Sequence, residues 1–341
     1  MSLTILAIES SCDDTSAAVV RDGFVLSNVM AGQEVHQRYG GVIPELASRA
    51  HQQNILPVVV EAVISAGIEL SDINAIAFTR GPGLLGSLLV GTSFAKGLSL
   101  SLNIPLVDVN HLQGHLLSQF IIEPGNEKEF PLFPFLCLLV SGGHTQIIKV
   151  TSYLEYEILG HSIDDAVGEA FDKCAKIMGL GYPGGPLVDK LSKTGNPTKF
   201  TFAKPKIEGY NYSFSGVKTS LLYFLRDNVH ENSNFIKENI NDICASFQTN
   251  LVEILLEKLI RAAKDTRISQ ITISGGVSAN SLLRMRIKQE GEARGWKTYL
   301  PELKYTTDNA AMIGVAGYYK FKSGHFCALE TVPVSRLSDY S

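Results

Sequence analysis

The chain has 341 residues, 45% of them hydrophobic and 19% charged, and its 30 Lys and Arg against 34 Asp and Glu leave a net charge of -4. This composition supplies enough apolar side chains for a large core, so a globally disordered chain and a histone-like polycation are both excluded. At about 150 residues per domain, the length favours two domains. The five cysteines form no CxxC pair, which argues against a disulfide framework and a thiolate zinc site.

Two features of the sequence bear on location. No uninterrupted apolar run approaches the ~18 residues that suggest a membrane span. The opening MSLTILAIESSCDD lacks the basic segment of a secretory signal. We therefore expect a cytoplasmic protein with no membrane partner.

Buried strands that end in short polar or glycine-rich turns recur along the chain. Residues 3–8 predict a strand ending in ESSCDDT, followed by a hairpin whose turn is marked by Asp22-Gly23. Residues 75–79 predict a strand that ends in RGPGLLG. Residues 133–140 repeat the first plan, because SGGHT follows them and QIIKV then predicts the next strand. A further strand at 270–273 ends in SGGVSAN.

Helical periodicity lies between these strands. We predict helices near 44–66, 84–100, 111–120, 167–178, 236–265, 279–291 and 308–321. Alternating strands and helices predict an α/β fold with mixed sheets. The strand-turn-hairpin unit at 3–30 and again at 133–160 predicts two halves of related topology. Residues 195–235, rich in Asn, Lys, Ser and Gly, are expected to form an insertion with long loops.

The glycine-rich turns are candidate ligand-binding loops. A glycine pair after a buried strand lets backbone N–H groups approach phosphate oxygens without a Cβ in the way. The alternative is that these are structural turns. Asp13 and Asp14 follow the first strand as adjacent carboxylates, either as turn and cap residues or as a general base or contact to a phosphate-bound cation.

The segment HLQGH places His111 and His115 four residues apart, on one face of a predicted helix. Two such imidazoles can bind one metal ion, although a hydrogen-bonded surface pair has the same spacing. The zinc-protease pattern requires Glu after the first His, where this chain has Leu112. Asp308 is a candidate third ligand or, alternatively, the N-cap of the last helix.

These motifs together closely resemble one family, the tRNA threonylcarbamoyl-adenosine transferases formerly called glycoproteases. The resemblance runs in order from residue 5 to about 317 through ESSCDDT, GGVIPELASRAH, NHLQGH, LLVSGGHTQ, GEAFDK, YPGGP, SFSGVKT, SGGVSAN and TTDNAAMI. It implies a duplicated actin-like fold of the sugar kinase and heat-shock ATPase type, with two lobes around a nucleotide cleft. The lobes would be residues 1–130 and residues 131–341, with the insertion in the second and the last helix able to pack back on the first.

The resemblance also implies an activity, the transfer of threonylcarbamoyl from threonylcarbamoyl-AMP to N6 of adenosine 37 in tRNAs reading codons that begin with A. One divalent metal, iron(II) or else zinc, would be held by His111, His115 and Asp308. An AMP- or ATP-type nucleotide would be bound by Leu139, Val140, Ser141, Gly142, Gly143, Asp172, Gly185, Asp189 and Asn280. Many members carry Glu where this chain has Asp14, so a direct contact of that residue with substrate is in doubt.

Chemistry and charge suggest further roles. The adenine amine is a poor nucleophile, so we expect Asp13 to act as base or orienting group and the amides of residues 141–143 to stabilise the departing AMP phosphate. Two clusters of cations are candidates for binding tRNA phosphates, Lys190, Lys193, Lys199, Lys204 and Lys206, and Arg284, Arg286, Lys288, Arg294 and Lys297. By resemblance, a smaller paralogous actin-like protein and a P-loop ATPase would be partners in bacteria.

Two other classes of enzyme remain open at this point. A small-molecule kinase of the actin-like superfamily would use the same nucleotide site but would not need paired histidines. A metallopeptidase would use the histidines but lacks the expected glutamate at Leu112.

Overall fold

The computed structural model describes residues 2–32 and 41–336. Its contacts divide the chain into two compact units, Met1–Phe130 with Thr307–Ser341, and Pro131–Thr306. The C-terminal segment, which the sequence assigned to the lobe of residues 131–341 with a last helix able to pack back on the first lobe, groups with the first unit. The reason is that the last helix packs on the strands of the first sheet.

The first unit is built on a five-stranded mixed sheet. The strands, in spatial order, are β3 (Phe24–Ala31), β2 (Thr15–Arg21), β1 (Thr4–Glu9), β4 (Ala75–Gly81) and β5 (Leu106–Asn110). Strands β1, β2 and β3 are antiparallel neighbours, whereas β4 and β5 run parallel to β1. The predicted hairpin is confirmed, since Asp22 and Gly23 both have positive φ (53° and 88°) between β2 and β3.

Helices cover both faces of this sheet. They are α1 (Pro44–Ser65), α2 (Leu85–Leu102), α3 (His111–Leu117) and α9 (Ala310–Lys322). Leu6 and Ile8 of β1 share an apolar cluster with residues of α1, while the alternate residue Ala7 faces α9. Strand β1 is therefore buried on both faces, which explains its continuous apolar sequence.

The second unit repeats this sheet topology. Its strands, in spatial order, are β8 (Tyr156–His161), β7 (Thr145–Val150), β6 (Phe135–Val140), β9 (Gln270–Ser274) and β10 (Lys297–Tyr299). Strands β6, β7 and β8 are antiparallel neighbours, and β9 and β10 run parallel to β6. The predicted relation between the two halves is thus present in strand order and direction. The helices are α4 (Val167–Ile177), α5 (Gly184–Ser192), α6 (Ser215–Glu231), α7 (Phe235–Thr266) and α8 (Ser281–Arg294).

Several elements were not predicted. Within the expected loop insertion at 195–235, residues Ser215–Glu231 form helix α6, whose buried Val217, Leu221 and Leu225 recur every four residues. The prediction of long loops was wrong there because the polar composition concealed this apolar stripe. Helix α5 and the short strands β5 and β10 were also not predicted.

Among the described residues, one helix, α2, has the length and the apolar composition that a membrane-spanning helix would need. It contacts α1 and β4, and its Leu88 and Ala95 are fully buried. One side of α2 therefore packs inside the first unit, while Leu85, Leu89 and Leu100 of the same helix are exposed.

The close contact of α9 with the sheet can be tested at Gly317. A Cβ at this position would lie 2.5 Å from Cβ of Ala77 on β4. We expect Gly317→Val to lower the free energy of unfolding by about 1–3 kcal/mol through overpacking. Urea denaturation followed by circular dichroism measures this change. The control is Gly97→Ala on α2, where a Cβ meets no atom within 4 Å and stability should stay equal or rise.

Candidate metal centre and ligand pocket

The predicted histidine pair begins helix α3. The Asn110 side chain caps this helix by accepting from the backbone N–H groups of Leu112 and Gln113. His111 and His115 are 7% and 1% exposed, and their ring centroids are 4.8 Å apart at nearly a right angle. The pair is therefore buried, which excludes the surface-pair alternative.

Asp308 is not the cap of the last helix. The neighbouring Asn309 caps α9, because its side chain accepts from the N–H of Met312 at 3.0 Å. Asp308 Oδ1 instead lies 3.1 Å from Nε2 of His115 and 3.4 Å from Nε2 of His111. The structure thus brings the three predicted ligands together, with candidate ligand atoms within 4.8 Å of one another.

Two features of α9 and α3 allow the Asp308 carboxylate to contact the two imidazoles. The first N–H of α9, on Ala310, donates to Ser16 Oγ at 2.9 Å and so ties the start of the helix to β2. At Gly114, between the two histidines, a Cβ would lie 2.9 Å from Ile313 Cδ1. The glycine of HLQGH therefore lets α3 and α9 pack closely, and this packing holds Asp308 against the imidazoles.

A second buried carboxylate lies behind His111. Glu9, at the end of β1, is fully buried, and its Oε2 is 3.0 Å from Nδ1 of His111. Burial opposes charge on His111, but Asp308 and Glu9 together hold its pKa well above its usual value. In turn, burial opposes ionisation of Asp308, but the His111 charge lowers the pKa of this carboxyl well below normal. The charges of His111, Glu9 and Asp308 thus compensate one another.

The donor set fits a divalent metal. It offers two imidazole nitrogens and one carboxylate oxygen within 4.8 Å of one another. This is the 2-His-1-carboxylate set found with iron(II), and it is also used for zinc. Nδ1 of His115 is buried and has no hydrogen-bond partner among the described residues. Its Nε2, facing Asp308, is therefore the nitrogen directed at the cluster.

The loop after β1 carries the predicted carboxylates Asp13 and Asp14, both half-buried. Burial, and then the charges of Asp13, Asp308 and Glu9, raise the pKa of Asp14 to about 7. The fully buried His51 fastens this loop to α1, with Nδ1 2.8 Å from Thr15 Oγ1 and Nε2 3.0 Å from the Cys12 carbonyl oxygen.

A pocket of about 500 Å³ lies in the second unit. Five of the nine predicted nucleotide-binding residues line it, namely Gly142, Asp172, Gly185, Asp189 and Asn280. Lining residues that the sequence did not single out for this role include Gly168, Phe171, Lys190 and Lys193. The turns after β6 and β9 both contribute, as their glycines suggested.

The other four predicted residues are placed differently. Leu139 and Val140 are fully buried within β6. Ser141 accepts from the N–H of Gly168 through its carbonyl and from the N–H of His144 through its hydroxyl. Gly143 belongs to the same turn but is not among the residues that line the pocket. These four residues therefore form the end of β6 and the turn after it, and they are not among the residues that line the cavity.

Three of the polar lining residues also make bonds within the protein. Asp172 accepts from the N–H of Gly184 at 2.7 Å, and burial nevertheless raises its pKa. Asp189 accepts from both the N–H and the hydroxyl of Ser281. Asn280 caps α8 through Oδ1, and its Nδ2 donates to Gln248. These contacts hold the pocket walls, and each group keeps hydrogen-bonding capacity for a ligand.

Three cations of the predicted basic clusters form close ion pairs with acids. Lys199 lies 2.7 Å from Asp242, Lys204 lies 2.5 Å from Glu253, and Arg294 lies 2.9 Å from Glu290. Lys190 and Lys193 line the pocket. The two clusters are thus weaker candidates for binding tRNA than their sequence spacing suggested.

Solved structures of two proteins share this fold at low sequence identity. Full-length HypF in its phosphate- and nucleotide-bound form is 13% identical with a TM-score of 0.62, over 94% of this chain and 46% of that one. The activator of the 2-hydroxyisocaproyl-CoA dehydratase from Clostridium difficile with bound ADPNP is 14% identical with a TM-score of 0.51, over 95% and 96% of the two chains. Fold and site together define a protein of the actin-like ATPase fold with a candidate His/Asp metal centre.

Sequence relatives identify the family. The profile of TsaD, tRNA N6-adenosine threonylcarbamoyltransferase, matches residues 24–315. The protein of that name from Porphyromonas gingivalis is 61% identical over 336 residues, 98% of each chain. The one from Phocaeicola vulgatus is 57% identical over 338 residues, 99% of this chain and all of the relative. The chain belongs to the tRNA N6-adenosine threonylcarbamoyltransferase family.

The predicted family, fold class and enzyme class are confirmed, and the activity is that of an acyl-transferring enzyme of tRNA modification. The metallopeptidase alternative also lacks its base, because Leu112 beside the first histidine is an apolar residue that is 1% exposed.

Sequence reasoning missed two residues of the first unit. It assigned no role to Glu9 or His51, although both are buried polar groups that contact the site or its loop. The sequence signal for a role of Glu9 was a carboxylate as the last residue of the buried strand TILAIE.

The raised pKa of Asp14 predicts a pH-dependent stability. The folded-state pKa of about 7 exceeds the pKa of Asp14 in the unfolded chain. The free energy of unfolding therefore falls as pH rises from the lower of these two values to the higher, and it stays reduced at higher pH because Asp14 is then ionised in the folded protein. In the metal-free protein we expect Asp14→Asn to add about 1–2 kcal/mol of stability at pH 8 and almost none below pH 4, with solvent screening allowed for. Thermal melts at several pH values measure this, with Glu127→Gln in an exposed loop as control. An equal effect at all pH values would contradict it.

Proposed function

We propose that this protein transfers the threonylcarbamoyl group from threonylcarbamoyl-AMP to N6 of adenosine 37 in tRNAs reading codons that begin with A. The observation that carries the proposal is the buried cluster of His111, His115 and Asp308 in a chain of this family. A kinase that phosphorylates a small molecule would have no use for this cluster.

The metal proposed for the cluster is iron(II), with zinc as the alternative. Two histidines and one carboxylate leave coordination positions open for a substrate. When bound, such an ion supplies Lewis acidity that can polarise a carbonyl oxygen of the threonylcarbamoyl group.

The protein's own groups contribute orientation and proton transfer. Attack by the adenine amine requires removal of a proton, and a carboxylate with a pKa near the working pH suits this task. Asp13 was the candidate base from sequence, and it remains the candidate here. Its half-buried position leaves it accessible to a substrate.

We propose that the pocket of the second unit binds the adenylate part of the donor. Of the turn at residues 141–143, the backbone amide of Gly142, which lines the pocket, would stabilise the phosphate of the departing AMP, since the Ser141 N–H already donates to the His144 carbonyl oxygen. Asp172, Gly185, Asp189 and Asn280 would contact its remaining polar groups. The nucleotide-bound HypF and the ADPNP-bound activator, which share the fold, support this assignment.

We propose three kinds of partner, namely tRNA, a smaller paralogous protein of the same fold, and a P-loop ATPase. An exposed apolar surface on α1 and α2 supports a protein partner, since Leu56, Ile64, Leu85 and Leu100 are each more than half exposed among the described residues. Such an enzyme would act in the cytoplasm, where its tRNA substrate is found.

The transfer reaction can be tested with a single ligand variant. The reaction contains tRNA, threonine, bicarbonate, ATP, a synthetase for the adenylate and the partner proteins, and nucleoside mass spectrometry measures the modified adenosine. His115→Ala should abolish both metal content and modification. It should cost less stability than His111→Ala, because Asp308 loses its 3.1 Å contact with His115 but keeps its contact with His111. His111→Ala should also destabilise the fold, since it leaves buried Glu9 uncompensated.

Modification at the wild-type rate with His115→Ala, or without this protein, would reject the transferase proposal. Raised salt should weaken tRNA binding more than AMP binding, because only tRNA binding displaces many counterions.

The two glycines after β9 allow a matched test of the pocket. At Gly276, which lines the pocket, a Cβ would meet no atom within 4 Å. We expect Gly276→Val to fold normally and to weaken AMP binding at least tenfold, about 1.4 kcal/mol, by filling space against the ligand.

Gly275 has φ +85°, and its Cβ would lie 2.4 Å from the Val140 carbonyl oxygen. Gly275→Ala should therefore destabilise the protein by about 1–3 kcal/mol. Isothermal titration with AMP and thermal melts separate the two effects. Unchanged AMP affinity in folded Gly276→Val would show that this turn has only a structural role.

A further inference from the structure

The environment of Glu9 differs from that of an ordinary buried acid. Its carboxylate is 0% exposed and receives three hydrogen bonds from fixed positions. Oε1 accepts from the backbone N–H of Ser11 at 2.5 Å, and Oε2 accepts from the Thr79 hydroxyl at 2.6 Å. Oε2 also lies 3.0 Å from Nδ1 of His111. Because Glu9 and Thr79 lie on the adjacent strands β1 and β4, the sheet itself holds this carboxylate in place.

An ionised carboxylate can only accept hydrogen bonds, so the short contact requires a proton on Nδ1 of His111. The opposite nitrogen, Nε2, faces Asp308 at 3.4 Å. His115 has no such partner behind its ring, since its Nδ1 is unpaired among the described residues. The two histidines of the cluster are therefore supported differently, although both direct Nε2 at the same oxygen.

We propose that Glu9 is a positioning residue that keeps a proton on Nδ1 of His111 and so makes Nε2 the atom that binds metal. The inference rests on the proposed metal role of the cluster. A carboxylate behind a ligating imidazole fixes the ring orientation and makes the opposite nitrogen a stronger donor, and its loss commonly weakens metal binding 10- to 100-fold. Glu9 would thereby set the affinity of the centre without touching the ion.

The variant Glu9→Gln reverses the polarity of this contact at almost constant size. The Ser11 N–H is a backbone donor that cannot turn, so the amide oxygen of Gln must face it. The amide NH₂ then faces His111 and can donate only to an unprotonated Nδ1, which favours the ring proton on Nε2. The Ser11 hydroxyl, 3.1 Å from Nδ1, is then the one acceptor left for a proton on Nδ1 among the described contacts of that atom. The Thr79 hydroxyl can rotate to accept. We expect metal affinity to fall about 10- to 100-fold.

The matched control is Thr79→Val, which removes another donor to the same Oε2 but leaves the carboxylate and His111 unchanged. If Glu9 acts through His111, Thr79→Val keeps metal affinity close to wild type. If the network serves only to stabilise the fold, both variants change affinity and thermal stability together. Zinc affinity is measured by competition with a chromophoric chelator, and the cobalt(II) absorption spectrum reports on the ligand set.

A second measurement uses the unmodified chain and does not depend on how Glu9→Gln folds. In zinc-loaded protein with ¹⁵N-labelled histidine, long-range ¹H–¹⁵N correlation should show His111 protonated at Nδ1 and unprotonated at Nε2. The opposite tautomer, or zinc affinity of folded Glu9→Gln equal to wild type, would overturn the role of Glu9. Absence of zinc and cobalt binding by the wild-type protein would instead reject the metal centre itself, so the two failures are distinguishable.

Discussion

The contact of the Asp308 carboxylate with two buried imidazoles is the interaction around which the candidate site of the first unit is built. Asp308 lies 193 residues after His115, yet one of its oxygens is within 3.4 Å of both Nε2 atoms. Charges buried in this way are costly unless they compensate one another. Here Asp308 and Glu9 compensate His111 from its two nitrogens, so the cluster is stable only if three separate segments are held in register.

The sheet and its close helix contacts provide that register. Strand β1 is central in its sheet and places Glu9 at its end. Helix α9 is tied to β2 through Ala310 and packs against the sheet at Gly314 and Gly317, where a Cβ would lie 2.5 Å from a neighbouring side chain. Glycines at these two positions thus let α9 pack close to the sheet, and this close packing places Asp308, just before the helix, beside the imidazoles.

The two units carry different candidate sites on one topology. Both sheets place a turn after their central strand, β1 or β6, and another after the parallel neighbour, β4 or β9. In the first unit the turn carries Asp13 and Asp14, whereas in the second the turns carry glycines that line a pocket. The two candidate sites differ in a few residues that follow the strands, because the side chains within the buried strands pack in the core.

The sequence by itself determined the features that depend on near neighbours. Period-two and period-3.6 apolar patterns, the Asp22-Gly23 turn and the spacing of His111 and His115 are set within a few residues, and the ordered motifs identified the family. Only the tertiary structure decided that Asn309 and not Asp308 caps α9, that the last helix belongs to the first unit, and that Glu9 supports His111. These outcomes depend on packing between segments far apart in the chain, and no local pattern encodes which polar groups such packing will bring together.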